Sequence, residues 1–125
     1  MHTQSHKEAA IDFLKMVASG RVREAYDKHV GAGFRHHNPY FAGDAHSLMT
    51  GMAENASKNP DKVLNVKLAL EDGEKVAVFS QIRQNPSDRG AAAVHIFRFE
   101  NDRILELWDV GQPLPETSPN KNGMF

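Results

Sequence analysis

Apolar positions recur at three- and four-residue spacing up to Pro60 and at two-residue spacing beyond it, so the chain predicts helices first and strands after. Ser5-His6-Lys7-Glu8 reads as a capping box. Behind it Ile11, Leu14, Val17 and Ala18 form one stripe that runs to Gly20, a left-handed stop. A shorter helix is predicted over Val22 to Val30, with Val22, Ala25, Tyr26 and His29 on one side. Gly31 and Gly33 end it and hand over to an extended piece, Phe34 to His37. Asn38-Pro39 then forces a turn, because proline disfavours helix in the residue before it. A third helix starts from the Asp44 cap and passes Leu48, Met49, Met52, Ala53 and Ala56 before Asn59-Pro60 stops it.

After Pro60, Leu64, Val66, Leu68 and Leu70 alternate with Asn65, Lys67 and Glu71 and close at the turn Asp72-Gly73. Val76 to Arg83 is the next strand. Ala91 to Glu100 and Ile104 to Val110 form a last hairpin around Asn101-Asp102. The tail, 112–125, carries Pro113, Pro115 and Pro119 among polar residues and is expected on the surface or against a neighbour. Helices followed by an antiparallel sheet predict an α+β fold with the helices on one face, as a single domain over 1–125.

Composition narrows the chemistry. With 125 residues and 40% hydrophobic positions, the chain can bury roughly two-thirds of its unfolded surface, so it needs no staple to fold. The absence of cysteine excludes thiol nucleophiles, disulfides and Cys-ligated metal. Fifteen basic residues against sixteen acidic ones leave a net charge of −1, without the electrostatic footprint that nucleic acid or an anionic membrane requires. No segment approaches the roughly 20 apolar residues of a membrane helix, and Met1 to Lys15 has no secretory h-region, so a cytoplasmic protein is expected. Asn55-Ala56-Ser57 is then an accidental sequon. Gly31-Ala32-Gly33 lacks the third glycine of a dinucleotide fingerprint, and no Walker loop, HExxH or GxSxG occurs. The unusual count is seven histidines.

Strand parity sorts them. Ala91, Ala93, His95, Phe97 and Phe99 share one strand face; Leu105, Leu107 and Asp109 share one on the next. If both faces point inward, cross-strand partners have even sums, which predicts a three-residue loop with Asp102 in the left-handed position. His95 then lies diagonal to Asp109 or directly opposite it, with Cβ atoms about 5–8 Å apart. An isolated carboxylate and imidazole on an apolar face are costly unless paired or facing a cavity. A carboxylate with an adjustable pKa is what a general base beside a carbonyl needs. The alternative is a satisfied interior pair that fixes the sheet register. His36-His37-Asn38-Pro39-Tyr40 forms a second cluster, in which at most one of the two histidines points inward. His37 and Asn38 sit at a pocket mouth in one reading and form a solvated, capped turn in the other. His37, His95 and Asp109 would suit a two-His-one-carboxylate metal site, but no spacing demands it and no metal is expected. Met49 and Met52, with Leu48, are core or the floor of an apolar pocket. His2, His6, His29 and His46 are expected at the surface or in helix packing.

Laid out this way, the chain resembles the SnoaL-like polyketide cyclases of the nuclear transport factor 2-like superfamily, over roughly Lys7 to Pro115. The resemblance rests on Phe34-Arg35-His36-His37-Asn38-Pro39, similar to that family's "QHNP" segment, and on Ile96 to Val110, which is similar to its final hairpin ending in Trp108-Asp109. Asp102 departs from the glycine usual in that turn. The resemblance implies a conical α+β barrel in which a curved antiparallel sheet wraps around three N-terminal helices and leaves an apolar cavity. It also implies homodimers packed through the sheet. By the same resemblance Asp109 would be the general base, assisted by His95, with His37 lining the cavity.

The leading reading is a small cofactor-independent lyase or isomerase acting on an apolar carbonyl compound, without nucleic-acid or membrane partners. Asp109 and His95 are its candidate catalytic residues. His37, Asn38, Tyr40, Met49, Met52, Phe79, Phe97 and Trp108 are its candidate substrate contacts. The rival is a binding or dimerisation module of the same fold without chemistry.

Overall fold

The computed structural model describes residues 4–125, leaving His2 outside the described residues. Its elements run α1 (His6–Ala18), α2 (Val22–His29), β1 (Val30–His36), α3 (Ala45–Lys58), β2 (Val63–Asp72), β3 (Lys75–Arg83), β4 (Ala91–Glu100) and β5 (Arg103–Pro113). Ser5 caps α1 through the reciprocal box with Glu8, and Gly20 at φ 92° closes it. Asp44 caps α3 by accepting from the Ser47 amide. No described helix is long and apolar enough to cross a membrane.

The strands form one open five-stranded sheet in the order β1-β5-β4-β3-β2. The four later strands are the expected antiparallel meander. β1 adds to it in parallel along β5, so the sheet is mixed. Along β1 the register jumps from Val30↔Ile104 to Arg35↔Glu106. Gly33, at φ 84°, absorbs that irregularity in a conformation few other residues adopt without strain. The jump sets the phase of the following turn and so aims Asn38.

The helices lie on the inner face. Phe13 of α1 meets Phe97 of β4 edge-on at 5.9 Å and Tyr26 of α2 at 5.4 Å. Phe13, Phe97 and Phe99 are fully buried, each contributing about 1.5–3 kcal/mol of transfer free energy. These rings close the end of the cone nearest the β4–β5 turn and leave its other end open for a cavity.

Two bulges alter the predicted alternation. In β2 the register shifts between Val66 and Leu68. Leu64 and Val66 stay against the core, Ala69 takes over the inward phase, and Leu68 and Leu70 turn outward, 51% and 66% exposed. The expected common face of Leu64, Val66, Leu68 and Leu70 is therefore split, because one extra residue inverts every side chain beyond it. The tail returns to this outer face. The Phe125 ring packs on Phe79 at 5.5 Å, with the Lys67 ammonium 5.2 Å from its centroid.

Candidate functional site

His95 and Asp109 are direct cross-strand partners on β4 and β5. Their even-sum register arises differently from the expectation. The turn has two residues between Glu100 and Arg103, with Asn101 rather than Asp102 at positive φ, 55°. A bulge between the pairs Phe99↔Ile104 and Arg98↔Glu106 supplies the missing residue, Leu105. Consequently Ile104 joins Leu107 in the core. Leu105 instead lies where a Cβ on Gly31 would touch it.

The parallel β1–β5 pairing brings the His-Asn-Pro turn to this pair. His37 N donates to Leu107 O at 3.0 Å. Asn38 Nδ2 donates to Asp109 Oδ2 at 3.1 Å, while Asn38 Oδ1 accepts from Tyr40 N at 3.0 Å. His36, buried on the inner side, braces the same turn. Its Nε2 donates to Ala42 O at 2.6 Å, and its Nδ1 accepts from Asn38 N at 3.1 Å.

These groups open into a cavity of about 230 Å³. Its apolar wall includes Leu14, Val17, Leu48, Met52, Leu64, Ile82 and the Phe41 ring; its polar groups are Asn38, Asn55, Lys62, His95 and Asp109. A Cβ on Gly51 would overlap the Phe41 ring, so the bare backbone of α3 is what lets that ring form part of the wall.

Burial lowers the pKa of His95 from its ordinary value; the Asp109 carboxylate opposes this and the Lys62 ammonium adds to it. A largely enclosed imidazole therefore favours its neutral form. Its Nδ1 has no hydrogen-bond partner, and no hydrogen bond joins it to Asp109 among the described residues. Asp109 also reaches Tyr26, whose phenol is pushed well above its ordinary pKa, mainly by burial and further by that carboxylate. The Tyr26 hydroxyl donates to Met52 Sδ at 3.3 Å.

Of the ten residues expected at the site, Asn38, Met52, His95 and Asp109 line the cavity. Phe97 lies beneath it, fully buried, its ring 6.3 Å from that of His95. His37 and Trp108 lie across the sheet, stacked on each other at 5.1 Å, because strand alternation sends neighbours of inward residues outward. There His37 Nε2 donates to Glu106 Oε2 at 2.6 Å, and Arg35 and Arg98 donate to the same carboxylate. This set holds the Glu106 pKa down at about 2. The pairing also separates His37 from His95 and Asp109 as metal ligands. Among the described residues, no group of three His, Asp or Glu side chains could hold a metal ion. Tyr40 is 85% exposed, and Phe79 faces the tail. Met49 falls about 100° around α3 from Leu48 and borders an outer groove with Arg23 and His46. His6 stacks on Phe99 and His29 pairs with Asp12, both in helix packing.

Sequence reasoning missed Phe41, Gly51, Asn55, Lys62, Leu64 and Ile82. Leu48, Gly51, Met52 and Asn55 follow helical spacing, so the stripe could have included Asn55. Nothing in the local pattern of Asn59-Pro60-Asp61-Lys62 marks Lys62.

No protein-family model matches the chain, and no curated protein matches it. Solved structures do. An NTF2-like protein from Cytophaga hutchinsonii is 20% identical, with a TM-score of 0.70 over 90% of this chain and 96% of that one. A SnoaL-like protein from Burkholderia thailandensis is 15% identical, with a TM-score of 0.71 over 90% and 99%. A candidate polyketide cyclase from Acidithiobacillus ferrooxidans is 15% identical, with a TM-score of 0.69 over 90% and 92%. The chain thus has the NTF2-like, SnoaL-like fold that its sequence resembles.

Proposed function

We propose that this chain is a cofactor-independent enzyme of the lyase or isomerase kind, which removes a proton α to the carbonyl of a small apolar compound held in the cavity. The observation that carries this reading is the placement of Asp109 and His95 as direct partners on one wall of an otherwise largely apolar cavity. Asn38 occupies Asp109 Oδ2 and leaves Oδ1 free to accept a proton. In the proposed step, Asp109 takes the α-proton and the C–H electrons pass into the carbonyl, forming an enolate. A neutral His95 has one N–H with which to stabilise that oxygen. Where a β,γ double bond extends the enolate, it regains the proton from Asp109 at the γ carbon, an isomerisation. Otherwise it attacks a second carbonyl carbon, the resulting alkoxide takes the proton back from Asp109, and loss of water completes an aldol condensation. The fold shared with a candidate polyketide cyclase is consistent with this chemistry. A cavity of about 230 Å³ is below the roughly 300 Å³ of a drug-sized pocket, so the substrate is compact.

The working form in this reading is a homodimer joined through the outer sheet face, where Leu68, Leu70 and Val110 are exposed. The chemical test is exchange of ketone α-protons with deuterium oxide, followed by NMR for the wild type and Asp109→Asn. Loss of a general base should slow exchange about 10²- to 10⁴-fold without changing the fold. A ketone that binds in the cavity with no exchange above the buffer rate would instead make the chain a binding module.

A further inference from the structure

Lys62 is the one Lys or Arg among the described cavity-lining residues. It follows the turn that ends α3, where Lys62 N donates to Asn59 O at 3.1 Å. A lysine near a surface ordinarily extends its ammonium to water. Here Nζ turns back and donates to Asn55 Oδ1 at 2.6 Å, on the cavity side of α3. An ammonium has three N–H donors, and no described carboxylate forms an ion pair with this one. Burial lowers its pKa from the ordinary lysine value, and its charge works against protonation of His95. Burial disfavours the charged form of Lys62, and an anionic oxygen beside Nζ would offset that cost by accepting from its remaining N–H donors. Lys62 enters beside β2 and Asp109 from β5, three strands apart in the sheet order, so a compact ligand can be held at one end while it reacts at the other.

We infer that Lys62 is the anion-recognising residue of the cavity, binding a carboxylate carried by the carbonyl substrate at the end remote from Asp109. The substrate class is then a small keto acid with an apolar middle. This rests on the reading of the cavity as a carbonyl-binding site, and the test separates the two.

The probes are 4-acetylbenzoate and its neutral analogue 4′-methylacetophenone, titrated by NMR against the amides of cavity residues. Charge-assisted hydrogen bonding should make the wild type prefer the acid by about tenfold or more. Lys62→Met should bring the two affinities within about twofold, mainly by weakening the acid, and Lys62→Arg should restore part of the preference. Equal affinities in the wild type, or an unchanged preference in Lys62→Met, would overturn the proposal. Asp109→Asn should keep the preference while losing methyl-proton exchange. If it keeps both, Lys62 recognition stands and the catalytic reading falls. If neither ketone perturbs a cavity amide, both fall.

Discussion

Asn38 Nδ2 holds Asp109 Oδ2 at 3.1 Å, and the backbone amide of Tyr40 fixes which end of the Asn38 amide faces the carboxylate. With Oδ1 committed to Tyr40 N, the side chain presents its donor to Asp109. Asn38 is therefore a positioning residue for the proposed base. A hydrogen bond to a charged group is worth about 1.5–3 kcal/mol, so Asn38→Ala should slow proton exchange by roughly tenfold or more. Most of the loss should fall on kcat rather than KM, with a small drop in Tm from the loosened turn. An unchanged kcat would remove the positioning role.

His95 should stay neutral well below the pH at which a free imidazole takes up a proton. Its folded pKa is lowered, chiefly by burial, so the unfolded chain binds the proton first. Its contribution to stability is complete above the unfolded value, about 6.5. That contribution drains away as pH falls from there towards the folded value, by at most about 1.4 kcal/mol per pH unit. Nitrogen-15 spectra of the ring should report neutral imidazole at pH 6.5. A ring already half protonated there would contradict the burial argument and weaken His95 as an N–H donor to an enolate.

Much of this site was legible because strand parity is local. The alternation through His95, Phe97 and Phe99, set against Leu107 and Asp109, brings the pair together once both faces turn inward, and the bulge at Leu105 supplies the even register that the two-residue turn alone does not. The bulges were not legible. Leu105 and Lys67 fall out of phase for reasons set by partner strands, and the local pattern at Leu68 and Leu70 reads as uninterrupted alternation. His36 and His37 show the same limit. Parity says that at most one faces inward, and only the parallel pairing with β5 selects His36. That choice sends His37 to Glu106 instead of the cavity. Lys62 could not be found because its role depends on a turn aiming it at strands far along the chain.

Glu106 should govern part of the protein's acid stability. Its carboxylate, 4% exposed as a residue, is held by His37, Arg35 and Arg98, which depress its pKa to about 2. A folded value below the unfolded one means that this stabilisation is present above about pH 4.5, the ordinary value. It is lost as pH falls through about 2, where the folded protein also takes up the proton. Glu106→Gln should therefore lower stability at pH 7 by about 1–3 kcal/mol and flatten the decline between pH 4.5 and 2. Urea unfolding across that range reads both effects. A Glu106→Gln profile parallel to the wild type would show that the cluster contributes no pH dependence.

The outer sheet face should carry the proposed dimer. The register aligns Leu68, Phe79, Val94 and Val110 in one row across four strands, and Leu70, Ala77, Ile96 and Trp108 in the next. Leu68, Leu70 and Val110 are more than half exposed, an arrangement in which contiguous apolar surface marks an interaction site. A two-fold pairing would bury each patch against its own copy. Charge introduced there should act on association and not on folding, because these side chains lie across the sheet from the core. Sedimentation should find a dimer for the wild type and a monomer for Leu70→Glu combined with Val110→Glu, with the monomer's circular dichroism unchanged. A wild-type monomer at every accessible concentration would leave the cavity chemistry intact and retire the dimer. A dimer that survives both charges would move the interface to another face.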